Sequence, residues 1–406
     1  MTSDFDLLIL GGGLVGVSLA CALGGQGLRI GLAEAVTPNS DGGPGYDDRS
    51  LALAYGSRRI FEGMRLWDRL VAEVTPIHRI HISERGRFGA ARIDRAEEGV
   101  EALGYVVPSR ALGRVLMDRL ATLDGVELLC PVTLDGFSVQ PDLVQVRLQT
   151  DGRARAVNAR LLVAADGARS AVRTALHIPT RHWEYGQTAV LANITPGRPH
   201  GHVAYERFTD QGPLALLPLD ADRCAMVWTR RDAAVAGVLA LNDADFLAAL
   251  QTCFGGRLGR LLRVGARSVQ PLSLTLAREA VRPRVALIGN AAHTIHPVAG
   301  QGFNLGLRDV AVLAEVVARA VAEGRDPGHR VVLDAYAQWR RQDQRRVALF
   351  TDGLARIFTS PLGPVAALRN AGLLALDLCP PVKHLLTRRT MGIAGRLPRL
   401  ARGLGL

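Results

Sequence analysis

The sequence is poor in several features that would each have pointed to a function. Among 49 basic residues there is one lysine, Lys383, so nearly all the positive charge is arginine. We read that bias as codon composition first and not as a binding signal. The five cysteines, at 21, 130, 224, 253 and 379, are odd in number, far apart and form no C-x-x-C. That spacing excludes a disulfide framework and a zinc site, and no metal is expected. No uninterrupted apolar stretch reaches about 18 residues, so no membrane-spanning helix is expected. The N-terminal segment lacks a basic region ahead of its apolar run, which reads as a strand and not as a signal peptide. There is no internal repeat and no low-complexity linker.

What remains is a globular composition. The 406 residues are 48% hydrophobic and 21% charged, enough for two or three structural units and a sizeable core. The formal charge is +11, and it is uneven. From Thr351 to Leu406 eight basic residues face two acidic ones, so this tail carries +6 of it. Basicity of this kind gives no nucleic-acid signature, and a cytoplasmic, reduced protein is the default expectation.

The chain opens on an apolar run, Asp4–Leu10, expected as a parallel strand covered on both faces. A small-residue helix follows, then a second strand over Arg29–Glu34, completing a βαβ unit. Asp48–Leu70 reads as helical in two pieces, and Ile77–Ser83 with Phe88–Asp94 as an antiparallel pair turning at Arg85-Gly86. Leu161–Ala165 is another buried strand, preceded by a turn signal at Asp151-Gly152. From Gln187 to Arg230 four alternating segments predict an antiparallel sheet. Ala244–Leu262 reads as a helix capped by Asp243, and Leu305–Glu323 as a long helix. The expected class is α/β, a Rossmann-like domain interleaved with an antiparallel-sheet domain. Residues 1–75, 101–180 and 271–350 would form the first and 76–100 and 181–270 the second. Residues 351–406 would form a helical, basic C-terminal region.

Three motifs carry chemistry. Gly11-Gly12-Gly13-Leu14-Val15-Gly16 follows a strand and opens a helix. Gly11 allows the tight turn, Gly13 lets the backbone approach a pyrophosphate at the positive end of the helix, and Gly16 lets helix and strand pack closely. Glu34, 18 residues after Gly16, can accept from ribose hydroxyls, and its charge disfavours a 2′-phosphate, so FAD or NAD fits better than NADP. Asp166-Gly167 ends the second buried strand. Gly289-Asn290-Ala291-Ala292-His293 ends a third, and Gly300-Gln301-Gly302-Phe303-Asn304 opens a helix seven residues later. A glycine-rich helix start offers free N–H groups and a positive dipole end, which suits the negative charge of a reduced flavin. An NAD dehydrogenase needs no such second anion site, so FAD is the expected cofactor.

Together these segments resemble the FAD-dependent aromatic hydroxylases over essentially the whole chain. The stretch from His296 to Asp309, with Asn290 where most relatives carry Asp, is similar to the ubiquinone-biosynthesis subgroup. Ile80–Gly86, Ala102–Val107, Tyr205–Phe208 and Gly212–Leu219 resemble its 2-polyprenyl-6-methoxyphenol hydroxylase branch. The resemblance implies an NAD(P)H-reduced flavin that activates O2 to hydroxylate an electron-rich, polyprenylated phenol. It implies flavin contacts at Arg49, beside Asp48, and at Arg110. It places His293 and Pro297 against the reacting face. Phe208, Leu216 and Pro218 would roof the ring pocket. His293 is the nearest candidate by position for a base, although a histidine in a structural hydrogen bond is the commoner case. NAD(P)H would bind only transiently, since no second fingerprint exists.

A polyprenyl substrate must come from a lipid phase. The basic tail, with apolar Leu373–Leu378 and Leu385–Leu386 beside Arg388, Arg389 and Arg396, suits the anionic inner face of a membrane or docking to other quinone-biosynthesis proteins. The rival readings are a flavin-dependent prenyl-chain reductase, which would not consume O2 stoichiometrically, and a colourless prenyl-lipid carrier or scaffold subunit on the same fold. The four tryptophans form no W-x-W, which argues against a flavin halogenase.

Overall fold

Strand Phe5–Leu10 is apolar on both faces because protein covers both. Leu7 and Ile9 enter one core cluster, and Phe5, Leu8 and Leu10 enter another. The computed structural model describes residues 3–37, 49–150, 153–220, 222–359 and 363–406. Asp48 and the Asp151-Gly152 turn signal lie outside the described residues.

Around that strand an eight-stranded sheet forms. Its path runs Val281–Arg282, Val285–Leu287, Arg153–Ala164, Phe5–Leu10, Ile30–Ala33, Val126–Leu129, with Val144–Thr150 added antiparallel on the long strand and Thr133–Val139 antiparallel on Val144–Thr150. The strands 285–287, 153–164, 5–10, 30–33 and 126–129 are mutually parallel. Parallel strands bring all their C-terminal ends to one edge, where ligands of such sheets bind. Leu10, Ala33, Ala164 and Leu287 therefore end side by side, and each motif begins just beyond one of them.

A nine-stranded sheet forms the second layer. Its path is His293–Thr294, Ser268–Ala277, Thr180–Pro196, Arg223–Arg231, Gly212–Leu219, Val203–Thr209, Arg79–Glu84, Ala90–Asp94, with Leu261–Val264 on the strand Thr180–Pro196. All four segments expected between Gln187 and Arg230 are strands in it, and so is the pair Arg79–Glu84 and Ala90–Asp94. One pairing is parallel, Val203–Thr209 with Arg79–Glu84, because the second strand arrives from a distant part of the chain. One face of this sheet is covered by helix Asp243–Phe254, with Trp228, Phe246 and Phe254 fully buried between them.

Two local readings need correction. Ser50–Ala54 is not helical. It pairs antiparallel with Gly104–Pro108 in a three-stranded sheet, and helix begins only at Tyr55. A partner 50 residues away decides that segment, which a local pattern does not reveal. Helix Asp243–Phe254 is capped by the Asn242 side chain, which accepts from the Asp245 N–H, and it stops at Gly255, so Leu261–Val264 is free to pair as a strand.

Helix Leu14–Leu23 is buried from Gly16 onward, as its small residues require. Helix Gln301–Ala322 lies against it, and helix Arg330–Thr359 crosses behind. Helices Gly363–Leu378 and Pro380–Thr390 follow. The last residues return to the first core, where Leu400 and Ala401 are each 1% exposed. Among the described residues no helix is long and apolar enough to cross a membrane.

Candidate active site

Gly11 has φ +107°, a backbone that L side chains rarely adopt, and a Cβ on it would sit 2.4 Å from the Ala165 carbonyl oxygen. The first motif thus presses directly on the second. A Cβ on Gly16 would sit 1.9 Å from the Gly11 carbonyl oxygen, so the helix touches its own approach turn. The third motif closes on the first through Val15: Cβ atoms on Gly289 and Gly306 would both meet its side chain at 3.1 Å. These glycines are explained by packing, and together they bring three distant stretches to one sheet edge.

Other glycines are not explained that way. Among the described residues, no atom lies within 4 Å of a Cβ added at Gly13, Gly167 or Gly302. No side chain caps helix Leu14–Leu23 at Gly13, and none caps helix Gln301–Ala322 at Gly300. Two helix starts with open glycine backbones leave N–H groups for an anion. Gly302 is the second residue of helix Gln301–Ala322, so its open backbone lies at the helix start. Gly300 itself has φ +61° and lies against Ala52.

Carboxylates at the same edge complete the cradle. Glu34 reaches back to the first motif, its Oε2 accepting from the Gly12 N–H at 2.5 Å and its Oε1 from the Val36 N–H at 3.0 Å. Asp166 Oδ2 accepts from the Val172 N–H at 3.2 Å, while Oδ1 is buried with no partner among the described residues. A buried, unpaired carboxylate oxygen is costly unless a ligand donates to it. The hydroxyl-rich ribityl and ribose parts of FAD are such donors, and its pyrophosphate suits the helix starts. The residues present therefore fit FAD. Asn290 is exposed on the short turn Gly289–Ala291, beside the Asp166 strand.

Arg49 and Arg110 are neighbours, because the Ser109 N–H donates to the Arg49 carbonyl at 2.8 Å at the end of the 50–54 and 104–108 strand pair. Asn304 ties that pair to the anion helix. Its Oδ1 accepts from the Ala54 N–H at 2.8 Å and the Ser57 hydroxyl at 2.7 Å, and its Nδ2 donates to the Ala52 carbonyl at 2.8 Å. Asn304 is thus consumed by structure. Gln301 is buried and donates to the Thr390 carbonyl at 3.1 Å. Phe303 is half-buried at the edge of the first core, and Pro297 is half-buried at the turn that leads to Gly300, whose N–H donates to the Pro297 carbonyl.

One ring nitrogen of His293 is taken up by a structural bond. The side chain is 2% exposed, and its Nε2 donates to Asp309 Oδ2 at 2.6 Å. Asp309, fully buried, also accepts from the Gly289 N–H at 3.0 Å, Arg340 Nε at 2.7 Å and Gln344 Nε2 at 2.9 Å. Burial alone would raise the Asp309 carboxyl, but His293 and Arg340 outweigh it and hold it far below the usual carboxylate range. This network fastens the third motif to two helices. The signal for it was present in sequence as His293 and Asp309, sixteen residues apart.

The three roof residues separate. Tyr205 pairs with Leu216, and both belong to the core under helix Asp243–Phe254. Pro218, two residues on from Leu216, faces the same way and pairs with Cys224 of that core. Phe208 points to the opposite face and stacks on Phe358, centroids 3.4 Å apart. Leu216 and Pro218 are therefore core of the far side, because side chains alternate along a strand. Ala215 and Leu217 occupy the face expected of them.

Comparison with known proteins agrees with the geometry. A family described as "FAD binding domain" matches residues 4–351. The chain is 40% identical to ubiquinone hydroxylase UbiL of Rhodospirillum rubrum, over 99% of this chain and 93% of that one. It is 31% identical to the 3-demethoxyubiquinol 3-hydroxylase of Escherichia coli K12, over 96% and 98% of the two chains. The chain belongs to the FAD-dependent ubiquinone-biosynthesis hydroxylases. It is a flavoprotein monooxygenase, with FAD as cofactor and NAD(P)H as reductant. In fold it is similar to p-nitrophenol 4-monooxygenase PnpA of Pseudomonas putida, with a TM-score of 0.78 at 20% identity over 98% of this chain and 100% of that one.

Proposed function

We propose that this flavoprotein hydroxylates the aromatic ring of a polyprenylated phenol on the route to ubiquinone. The observation that carries the reading is the meeting of the three glycine motifs at one sheet edge, with Asp166 Oδ1 left unpaired for a donor. The curated relatives whose names specify ubiquinone hydroxylation support the substrate class. When bound, FAD supplies the electron transfer and oxygen activation. The chain supplies the rest. Gly13 and Gly302 present backbone to it, Asp166, Glu34 and Asn290 accept from its hydroxyls, and Arg49 and Arg110 add positive charge. His293 serves as a positioning residue, holding the Pro297–Gly302 loop through Asp309. The discontinuous division of the chain into an FAD-binding part (1–75, 101–180, 271–350), a substrate part (76–100, 181–270) and a C-terminal region (351–406) belongs to the same proposal.

The test is stoichiometry. With a short-chain prenylated 2-methoxyphenol, NAD(P)H and O2 are expected to disappear together, one of each per ring hydroxyl formed. NAD(P)H oxidation without O2 uptake would instead mark a reductase.

We further propose that the C-terminal helices rest on an anionic membrane surface. Leu368 and Leu378 are 73% and 72% exposed, and Leu349, Ile357, Val382 and Leu385 are exposed in the same three helices. Arg341, Arg345, Arg346, Arg388 and Arg389 are exposed among them. The tail's charge is partly spent inside the protein, since Arg369 pairs with Glu84, Lys383 with Glu97 and Arg356 with Asp352. The remaining cations and exposed leucines match a surface offering acyl chains beneath phosphates. Leu378→Asp and Leu385→Asp are each expected to weaken binding to phosphatidylglycerol vesicles about tenfold, with the melting temperature unchanged. Unaltered vesicle binding in the double variant would reject the idea.

A further inference from the structure

A ring hydroxylase of this kind benefits from a group that takes the proton of the substrate's hydroxyl, and His293 is held in place by its Nε2 bond to Asp309. The strand Val203–Thr209 offers another. Ala204 packs with Ile77, Val106, Leu219 and Ala225, and Phe208 packs with Ala91, Phe358 and Leu373. Side chains two apart on a strand share a face, so Glu206 stands between Ala204 and Phe208 on that side. Its paired neighbours are Ile82 on one flank and Ala215 on the other. Apolar residues thus surround a single carboxyl. It has no hydrogen bond and no ion pair among the described residues, yet part of its surface stays open. A carboxyl without a partner in apolar surroundings is costly unless function retains it.

This face looks toward the flavin cradle. The anion-helix glycine Gly300 touches Ala52, whose strand pairs with Gly104–Pro108, and Val106 of that strand packs on Ala204 and Ala225 of the sheet. Three contacts therefore link the loop that ends at Gly302 to the face bearing Glu206.

We propose that Glu206 is the substrate-facing base, receiving the hydrogen bond of the ring hydroxyl and then its proton. The inference rests on the phenol reading above. The O–H bond breaks, the proton goes to a Glu206 oxygen, and the electron pair stays on the ring oxygen and feeds the ring carbon that is oxygenated. That carbon takes its new hydroxyl oxygen from O2, whose other atom is reduced to water at the expense of NAD(P)H, and it releases its own hydrogen to solvent as a proton. Glu206 then returns its proton to the ring oxygen, and the carboxylate is restored.

Burial pushes the Glu206 carboxyl up to about 7, with no charge contributing, which places it near working pH for a base. The charged groups on the elements packed against this face include Glu84 with Arg369, Arg92 with Asp377 and, on helix Arg330–Thr359, Asp352 with Arg356. Each is paired with its opposite. Below about 7 the group is protonated and cannot accept, so kcat/KM should rise with pH through 7 and level above it.

The test compares holoenzymes carrying Glu206→Gln and Glu206→Leu, using a farnesylated 2-methoxyphenol and its O-methyl ether. Glutamine can accept a hydrogen bond but not a proton. E206Q is expected to keep the preference for phenol over ether in direct binding and a similar KM, to lose kcat about 100-fold, and to lose the rise through pH 7. E206L is expected to lose the binding preference as well. Flavin content reports correct folding in both. In the wild type, a protonated-carboxyl infrared band is expected to titrate near pH 7 and to be absent from E206Q. If E206Q keeps the wild-type kcat and pH profile while the wild type hydroxylates the phenol, the proposal for Glu206 is overturned and the phenol reading stands. If the wild type hydroxylates no phenol, both fall.

Discussion

Gly13→Ala is expected to yield a stable protein that purifies with little flavin, whereas Gly16→Ala is expected to lose stability and flavin together. The two glycines belong to one motif and differ only in what surrounds them. Gly13 has φ −69°, which alanine adopts freely, and among the described residues no atom lies within 4 Å of an added Cβ. The new methyl occupies only the space the cofactor needs. Losing charge-assisted hydrogen bonds to the pyrophosphate costs about 1.5–3 kcal/mol each, which weakens Kd by roughly 10- to 100-fold per bond. A methyl on Gly16 meets the Gly11 carbonyl oxygen at 1.9 Å, and backbone cannot rotate aside as a side chain can. Overpacking of that kind costs about 3 kcal/mol or more. Calorimetry of the apoproteins separates the cases: an unchanged melting temperature for Gly13→Ala is expected, and a drop equal to that of Gly16→Ala would show that the first glycine is also structural.

Asp309→Ala is expected to cost about 3–5 kcal/mol, the penalty for leaving a buried partner charge uncompensated. Arg340 is 3% exposed and would lose its strongest acceptor, and His293 and the Gly289 N–H would lose theirs. Chemical denaturation of Asp309→Ala and Asp309→Asn measures it. The pH dependence has a definite sign. The folded state holds this carboxyl far below its unfolded value, so its contribution is complete above the ordinary aspartate range near 4 and fades as pH falls below it. Asp343 adds in the same direction, since Arg308 and Arg340 outweigh its burial. Wild-type stability should therefore fall steeply in acid, and Asp309→Asn should start lower and fall less. Parallel acid curves for the two proteins would remove Asp309 from the account.

The cofactor cradle was legible in the sequence because its determinants are backbone determinants. Gly11, Gly13 and Gly16 have jobs fixed by their spacing from one strand and one helix, and Asp166 and Gly289 end strands whose apolar runs are visible. Orientation was not legible. Both faces of the strand Gly212–Leu219 are covered, so its residues are nearly all apolar, and nothing in the pattern tells that Leu216 faces a helix while Ala215 and Leu217 face the other layer. Glu206 was missed for a related reason. A single acid in an alternating strand reads as a solvent-facing residue until the sheet is seen to be covered there. Ser50–Ala54 was misjudged because its partner strand lies some fifty residues downstream.

The third motif sits late in the chain, and this orders events during synthesis. The first glycine turn leaves the ribosome early, yet the surfaces it rests on, Ala165 and the Gly289–Gly306 stretch, are translated well over a hundred residues afterwards, and Arg340, which anchors Asp309, later still. A nascent chain arrested before that point has a βαβ unit without a place for flavin. Contacts so distant in sequence are slow to form and leave sticky strands waiting. Flavin supplied to a translating extract should therefore be captured only after Arg340 has been translated.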